Sequence, residues 1–211
     1  DQSSTTANIT AKSLTVSGVT ASDKTYDGSV TATMDGTAAV YSGLVSGDTF
    51  NGSYTGVFSD ANVGTGKTVN ITSSYSGADV NNYSVTDQSS TTADISAKAL
   101  TATASTSNKT YDGGTTASTT LTFTGLVGSE TLGQTVGSTF DNKNVGSNKT
   151  VTVNSITLSD GSGLAANYSI SAGQTTTANI TAKSLTVSGI TASNKTYDGS
   201  TNATLDASLV A

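Results

Sequence analysis

Apolar and polar residues alternate through Asn8-Ile9-Thr10-Ala11 and again through Ser13-Leu14-Thr15-Val16, but the parity slips between the two runs. Ile9 and Ala11 are odd, Leu14 and Val16 even. Successive side chains of a strand face opposite ways, so a slip of one residue sends the apolar set to the other face. The pattern predicts a strand that closes one unit, kinks near Lys12-Ser13 and opens the next, with almost no linker. The stretch Thr6–Val16 returns in a variant form at Thr92–Thr101 and almost verbatim at Thr177–Val187. Lys67-Thr68-Val69-Asn70-Ile71 and Lys149-Thr150-Val151-Thr152-Val153 also alternate and read as strands with a polar outer face. No stretch carries an amphipathic helix of useful length. Thr and Val are abundant, and turn residues fall roughly every 8 to 12 positions, a pattern of all-β structure.

The pattern repeats. Asp23-Lys24-Thr25-Tyr26-Asp27-Gly28 recurs at Asn108–Gly113 and Asn194–Gly199, with the tyrosines 85 and 86 residues apart. A fixed period of this size marks a tandem array. Asp-Gly supplies a tight turn, because Gly accepts positive φ and Asp bonds its own backbone. Tyr before the turn can lay its ring on the core edge. Lys24, Tyr26, Asp27 and Gly28, Lys109, Tyr111, Asp112 and Gly113, and Lys195, Tyr197, Asp198 and Gly199 are therefore read as a structural motif. The alternative reading of the tyrosines is one ligand-binding ring per repeat.

A second landmark pairs Asn62-Val63-Gly64 with Asn144-Val145-Gly146, and a third pairs Asn82-Tyr83-Ser84 with Asn167-Tyr168-Ser169. Tyr83 and Tyr168 open the last strand of their repeats, a place suited to a tyrosine-corner clamp. Between landmarks the loops differ in length, which costs little entropy. The boundaries expected are 1–11 for the end of a preceding repeat, 12–97 and 98–182 for two complete repeats, and 183–211 for the truncated start of a third. About seven strands per repeat suit immunoglobulin-like β-sandwiches stacked in a rod. β-Grasp-like repeats are the alternative and need a helix that the pattern lacks. The third piece has its turn but not the later strands. It is expected to be disordered in a lone monomer, or completed by another chain.

Composition narrows the chemistry. The 211 residues contain no His, Cys, Pro, Trp or Arg and one Glu, Glu130, with a net charge of −6. Phosphate is met by Lys and Arg, so this balance argues against a nucleic-acid partner. Without Cys there are no disulfides or thiolate sites. Without His and Cys, hydrolytic triads are excluded and only Ser-Lys or paired-Asp arrangements remain, so no enzymatic activity is expected. No apolar run reaches the ~20 residues that span a bilayer. No cofactor is expected. Calcium is the one metal to weigh, through loop residues Asp60, Asp79, Asp141 and Asp160, but no D-x-D-x-D-G loop appears and Asx-turns explain them as well. Lys24, Lys109 and Lys195 recur in register and could staple to Asn as isopeptides. Asn-x-Ser/Thr occurs repeatedly, for example at Asn8, Asn70 and Asn82, a pattern that an Asn/Ser/Thr-rich chain also produces by chance.

Lys-Thr-Tyr-Asp-Gly, Asn-Val-Gly, Asn-Tyr-Ser and Ala-Asn-Ile-Thr-Ala-Lys-Ser-Leu-Thr-Val in fixed order resemble the YDG-type repeat of large exported bacterial surface adhesins, of the filamentous-haemagglutinin-like, two-partner-secreted type. One departure is Ala11, Ala97 and Ala182 where such repeats often carry Pro. The resemblance implies an extracellular protein on the bacterial outer surface, whose repeats form a stalk supporting adhesion or a biofilm matrix. Neighbouring repeats of the same chain are then the first partners. The rival expectation is that the repeats themselves bind, to sister chains in a filament or to host or matrix glycans. Tyr41, Tyr54 and Tyr75, expected to be exposed, are the places to look for such binding.

Overall fold

A computed structural model describes residues 1–208, so the last three residues of the 183–211 piece lie outside the described residues. The first repeat contains β1 (Lys12–Ser17), β2 (Thr20–Ala21), β3 (Lys24–Thr25), β4 (Thr31–Ala32) and β5 (Met34–Asp35). It continues with β6 (Val40–Ser42), β7 (Asn51–Phe58), β8 (Gly64–Ser76), β9 (Tyr83–Thr86) and β10 (Ser90–Ser96). The second contains β11 (Lys98–Ala99), β12 (Thr101–Thr106), β13 (Lys109–Thr110) and β14 (Thr119–Thr124). Then come β15 (Leu132–Phe140), β16 (Gly146–Asp160), β17 (Tyr168–Ser169) and β18 (Thr175–Thr181), and beyond them β19 (Thr191–Ala192) and β20 (Leu205–Asp206). The only helical turns among the described residues are two three-residue 3-10 turns, at Val80–Asn82 and Ala165–Asn167.

The fold is all-β. Its strand order does not establish an immunoglobulin-like sandwich. β1 runs parallel to β9 and β3 parallel to β10, whereas sandwiches of that type are built of antiparallel sheets. The helix that a β-grasp unit requires is not among the described residues.

Contacts divide the chain into two compact units that do not follow the sequence period. One comprises residues 1–103, 121–136 and 155–173; the other comprises 104–120, 137–154 and 174 onward. In the first unit a sheet ordered β6-β1-β9 faces a core of Leu14, Val16, Val19, Phe50 and Tyr83. The alternation seen in the sequence places Leu14 and Val16 inward, at 0% and 2% exposure. A larger sheet, β3-β10-β8-β7-β4, has the long β7–β8 hairpin at its centre, in register from Asn51↔Ser76 to Phe58↔Val69. A bulge in β10 between Ala93 and Ile95 breaks its register with β8.

The parity slip has a structural counterpart here. β10 ends this sheet at Ser96, paired with Thr25 of β3, while β11 and the residue after it pair with β17 of the second repeat. Ile95 and Leu100 still enter one continuous core with Tyr26, Phe58, Val69 and Tyr168. Leu126, Val127, Leu132, Leu158 and Ile170 pack against it. Residues from two sequence repeats thus bury each other's apolar faces.

The second unit centres on the sheet β13-β18-β16-β15, whose core is Phe140, Val151, Ala178 and Ile180. β13 runs parallel to β18 as β3 does to β10. Residues 182–208 are exposed throughout and hold one short antiparallel pair, β19 with β20.

Leu14 is fully buried in the smaller core, so Leu14→Ala removes apolar contacts and leaves a cavity. We expect a loss of about 2–5 kcal/mol of unfolding free energy, measured by urea denaturation.

Candidate functional site

Each Tyr-Asp-Gly motif forms a turn fixed by its lysine. Asp27 Oδ1 accepts from the Ser29 amide at 2.8 Å and from Lys24 Nζ at 2.7 Å. Lys24 also donates to the Ser29 and Thr31 carbonyls and lies 5.6 Å from the centre of the Phe58 ring. Lys109 repeats this pattern with Asp112, Gly114, Thr116 and Phe140, and Lys195 pairs with Asp198 at 2.8 Å. The bond from lysine holds the Asp27, Asp112 and Asp198 carboxyls below the usual carboxylate range. Lys24 and Lys109 thus each spend their ammonium on a carboxylate and two carbonyls, and no asparagine side chain is among those acceptors. Gly28, Gly113 and Gly199 take φ of 77°, 83° and 74°, the left-handed region that the turn requires.

Tyr83 and Tyr168 open the next-to-last strands of their repeats, β9 and β17, and instead of a tyrosine corner to nearby backbone they clamp loops 38 and 41 residues upstream. Tyr83 Oη accepts from the Val45 amide at 2.9 Å and donates to Asp48 at 2.5 Å. Tyr168 Oη accepts from the Val127 amide at 3.0 Å and donates to Glu130 at 2.5 Å. Glu130 thus stands where the first repeat has Asp48.

Within the first unit these elements meet at a joint. Tyr26, at the turn of the first repeat, donates to the other oxygen of Glu130 at 2.7 Å. Its ring meets Tyr168 edge to face, centroids 5.4 Å apart. One carboxylate thereby receives two tyrosine hydroxyls from different repeats. Beside it, Asn167 Oδ1 accepts from the Val63 amide at 2.9 Å and its Nδ2 donates to Asn62 Oδ1 at 3.0 Å. Asn167 is 2% exposed, and burying it is tolerable because those partners are met. A Cβ on Gly28 would come within 2.9 Å of the Val127 side chain, so the turn needs glycine for room as well as for φ. The hydrogen bond to Glu130, with burial adding to it, pushes the Tyr26 hydroxyl up to about 12.

The structure thus brings Tyr26, Gly28, Asn62 and Tyr168 together at one joint. The equivalent Tyr111, Gly113, Asn144 and Gly146 lie in the second unit. Gly64 and Gly146 instead pack against the aliphatic stems of Lys67 and Lys149. Tyr197 is 91% exposed. Sequence reasoning missed Glu130 and Asn167 as joint residues; the signals were the lone Glu and the Asn before each of Tyr83 and Tyr168.

The middle tyrosines are not the exposed platform expected. Tyr41, Tyr54 and Tyr75 are half-buried around Phe50, with Tyr41 and Tyr54 hydroxyls 3.0 Å apart and Tyr75 donating to Asp87 at 2.5 Å. The loop carboxylates are dispersed. Asp60 pairs with Lys67 and Asp141 with Lys149, while Asp79 accepts from the Thr49 amide and Asp160 from the Ala165 amide. Among the described residues no group of three or more His, Cys, Asp or Glu converges on one point, and no helix is long and apolar enough to cross a membrane.

A family model described as the YDG domain matches the chain twice, at residues 10–93 and 96–178. Comparison with curated proteins and with solved structures gave no match.

Two outcomes follow for the joint. Glu130→Ala leaves two tyrosine hydroxyls without their acceptor and is expected to cost about 1–3 kcal/mol, read by urea denaturation; Tyr26→Phe costs less. Tyr26 is raised above its unfolded value of 10.0, so its contribution is complete below about pH 10 and lost as pH rises through 12. Alkaline titration followed by tyrosinate absorbance should show the step near pH 12 smaller by one tyrosine in Tyr26→Phe than in the native chain. Tyr75, also pushed up to about 12 by burial and Asp87, titrates alike in both.

Proposed function

The chain belongs to the YDG domain family, and we propose that its repeats serve as stiff structural spacers in an exported bacterial surface adhesin. The observation that carries this reading is the joint. The recurring residues are spent on turns, clamps and inter-repeat bonds, and the chain passes from β10 to β11 with only Ala97 between them. Such a joint ties the turn of one repeat to the Glu130–Tyr168 part of the next with no free linker, the property that a projecting stalk needs. Adhesion itself is then carried by another region of the protein, outside the cell, with cell attachment or biofilm matrix as the setting. The packed tyrosines around Phe50 support the same reading, since glycan-binding aromatics present a free ring face to solvent. A chain without His or Cys, and with its lone Glu engaged by two tyrosines, is suited to a non-enzymatic role.

Stiffness is directly measurable. Spin labels at Ser74→Cys and Thr157→Cys, both exposed and in different repeats, should give a narrow distance distribution by pulsed dipolar spectroscopy. Glu130→Ala combined with Asn167→Ala should broaden it severalfold. An equally broad distribution in the unmutated joint would remove the spacer reading, and so would a defined glycan that binds the purified chain.

A further inference from the structure

The first unit gathers three phenols at one place inside the first repeat. Tyr41 on β6, Tyr54 on β7 and Tyr75 on β8 pack in the core around Phe50. The ring centres of Tyr41 and Tyr75 lie 5.2 and 5.0 Å from that of Phe50. The Tyr41 and Tyr54 hydroxyls bond each other at 3.0 Å. Both residues are half-buried, so a small oxidant in solution can draw electrons from their rings.

The fold does not require these hydroxyls. Val45 and Val127, Phe58 and Phe140, and Val69 and Val151 each lie 82 residues apart, which fixes the correspondence of the two repeats over this stretch. At the places of Tyr41, Tyr54 and Tyr75 the second repeat has Phe123, Val136 and Thr157, and it still forms the corresponding strands β14, β15 and β16. A glycine makes room for the pair. Gly52, opposite Tyr75 in the β7–β8 hairpin, does not take a positive φ, yet a Cβ there would collide with both hydroxyls. The second repeat has Gln134 at that place, and its side chain bonds the Leu121 amide and carbonyl at 3.0 and 2.7 Å. Where one repeat clasps its backbone, the other holds two phenols in contact.

The other tyrosines nearby are placed differently. Tyr75 turns its hydroxyl away from the pair, to Asp87 at 2.5 Å. Tyr26 and Tyr168 also have neighbouring rings, but they are buried and their hydroxyls are held on separate oxygens of Glu130. Tyr41 and Tyr54 alone among the described tyrosines have hydroxyls bonded to each other. That contact sets the ring carbons beside the two oxygens near one another, and a small turn of either side chain brings them together.

We propose that Tyr41 and Tyr54 form an oxidative cross-linking site, joined as dityrosine by a one-electron oxidant and so tying β6 to β7 within one repeat. Each ring gives one electron to the oxidant and its hydroxyl proton to solvent. The two phenoxyl radicals combine through the carbons ortho to their oxygens, forming one C–C bond. Each of those carbons then releases its hydrogen as a proton while each oxygen takes one up, which restores both aromatic rings. The net change is two electrons to two equivalents of oxidant and two protons to solvent. The product is a covalent staple in a chain that has no cysteine. It stabilises by restricting the unfolded chain, as a disulfide does. The inference does not rest on the spacer reading, which concerns the Glu130 joint.

The full 211-residue chain, kept dilute, is irradiated with tris(bipyridine)ruthenium(II) and persulfate, which generate a one-electron oxidant. The expected product is a 20.9 kDa species that shows dityrosine fluorescence, is lighter by two hydrogen atoms and has a higher urea midpoint. Proteolysis before aspartate parts Tyr41 from Tyr54 at Asp48, so the fragments 35–47 and 48–59 should be recovered joined. Tyr41→Phe and Tyr54→Phe keep the rings and should each abolish that joined pair. Gly52→Ala keeps all eight tyrosines and should lower its yield severalfold. Fragments 35–47 and 48–59 recovered separate, with dityrosine only between exposed Tyr197 residues of two chains, overturn the proposal. So does an equal yield of the joined pair from the chain unfolded in urea, since the folded contact would then contribute nothing.

Discussion

The fold depends on a shared core at the repeat boundary, set beside the smaller cores that each repeat encloses from its own residues. Tyr26, Phe58, Val69 and Ile95 come from the first repeat, Leu100 and Tyr168 from the second, and they form one cluster. Small domains bury a lower fraction of their surface than large ones, and here the neighbour adds to what each repeat buries, so the contact unit runs across the sequence boundary. The polar bonds of the joint sit at the rim of this core. Glu130 and Asn167 satisfy donors and acceptors that burial would otherwise leave without water, and they fix the register in which the two repeats meet.

Much of this was legible in the chain. The alternation around Leu14 and Val16 and the Asp-Gly turns rest on short-range patterns, and the structure places them as those patterns imply; the Tyr83 and Tyr168 clamps reach 38 and 41 residues back and were not legible locally. The parity slip near Lys98 was legible too, because a strand has only two faces. The joint was not. Tyr26 finds Glu130 across 104 residues, and nothing local to either reports the other. Glu130 also escaped notice because the first repeat has Asp48 in its place; only alignment through Tyr83 and Tyr168 shows the two carboxylates as equivalent. The middle tyrosines misled for the opposite reason. Tyr41, Tyr54 and Tyr75 lie in loop-rich sequence that reads as surface, yet Phe50 gathers them into a satellite core.

Protonation chemistry follows the same division. The turn carboxylates are held below their usual range by lysines, and Tyr26 is held above its own by Glu130. With no His and no Cys, the chain carries no side chain whose ordinary titration falls near neutrality. The turn carboxylates and Tyr26 are thus both shifted further from neutrality, in opposite directions.

The parallel pairing of β1 with β9 has a mechanical meaning. Lys12 meets Tyr83 and Thr15 meets Thr86, so the strand at the entrance of the first repeat lies beside one that leads, through β10, to its exit. Tension along the chain draws β1 backward and β9 forward, sliding one past the other. Their hydrogen bonds then carry the load side by side and must yield together, where a hairpin pulled from its open end would unzip rung by rung. Resistance to force is thus written into strand direction, apart from any thermodynamic measure of how stable the repeat is.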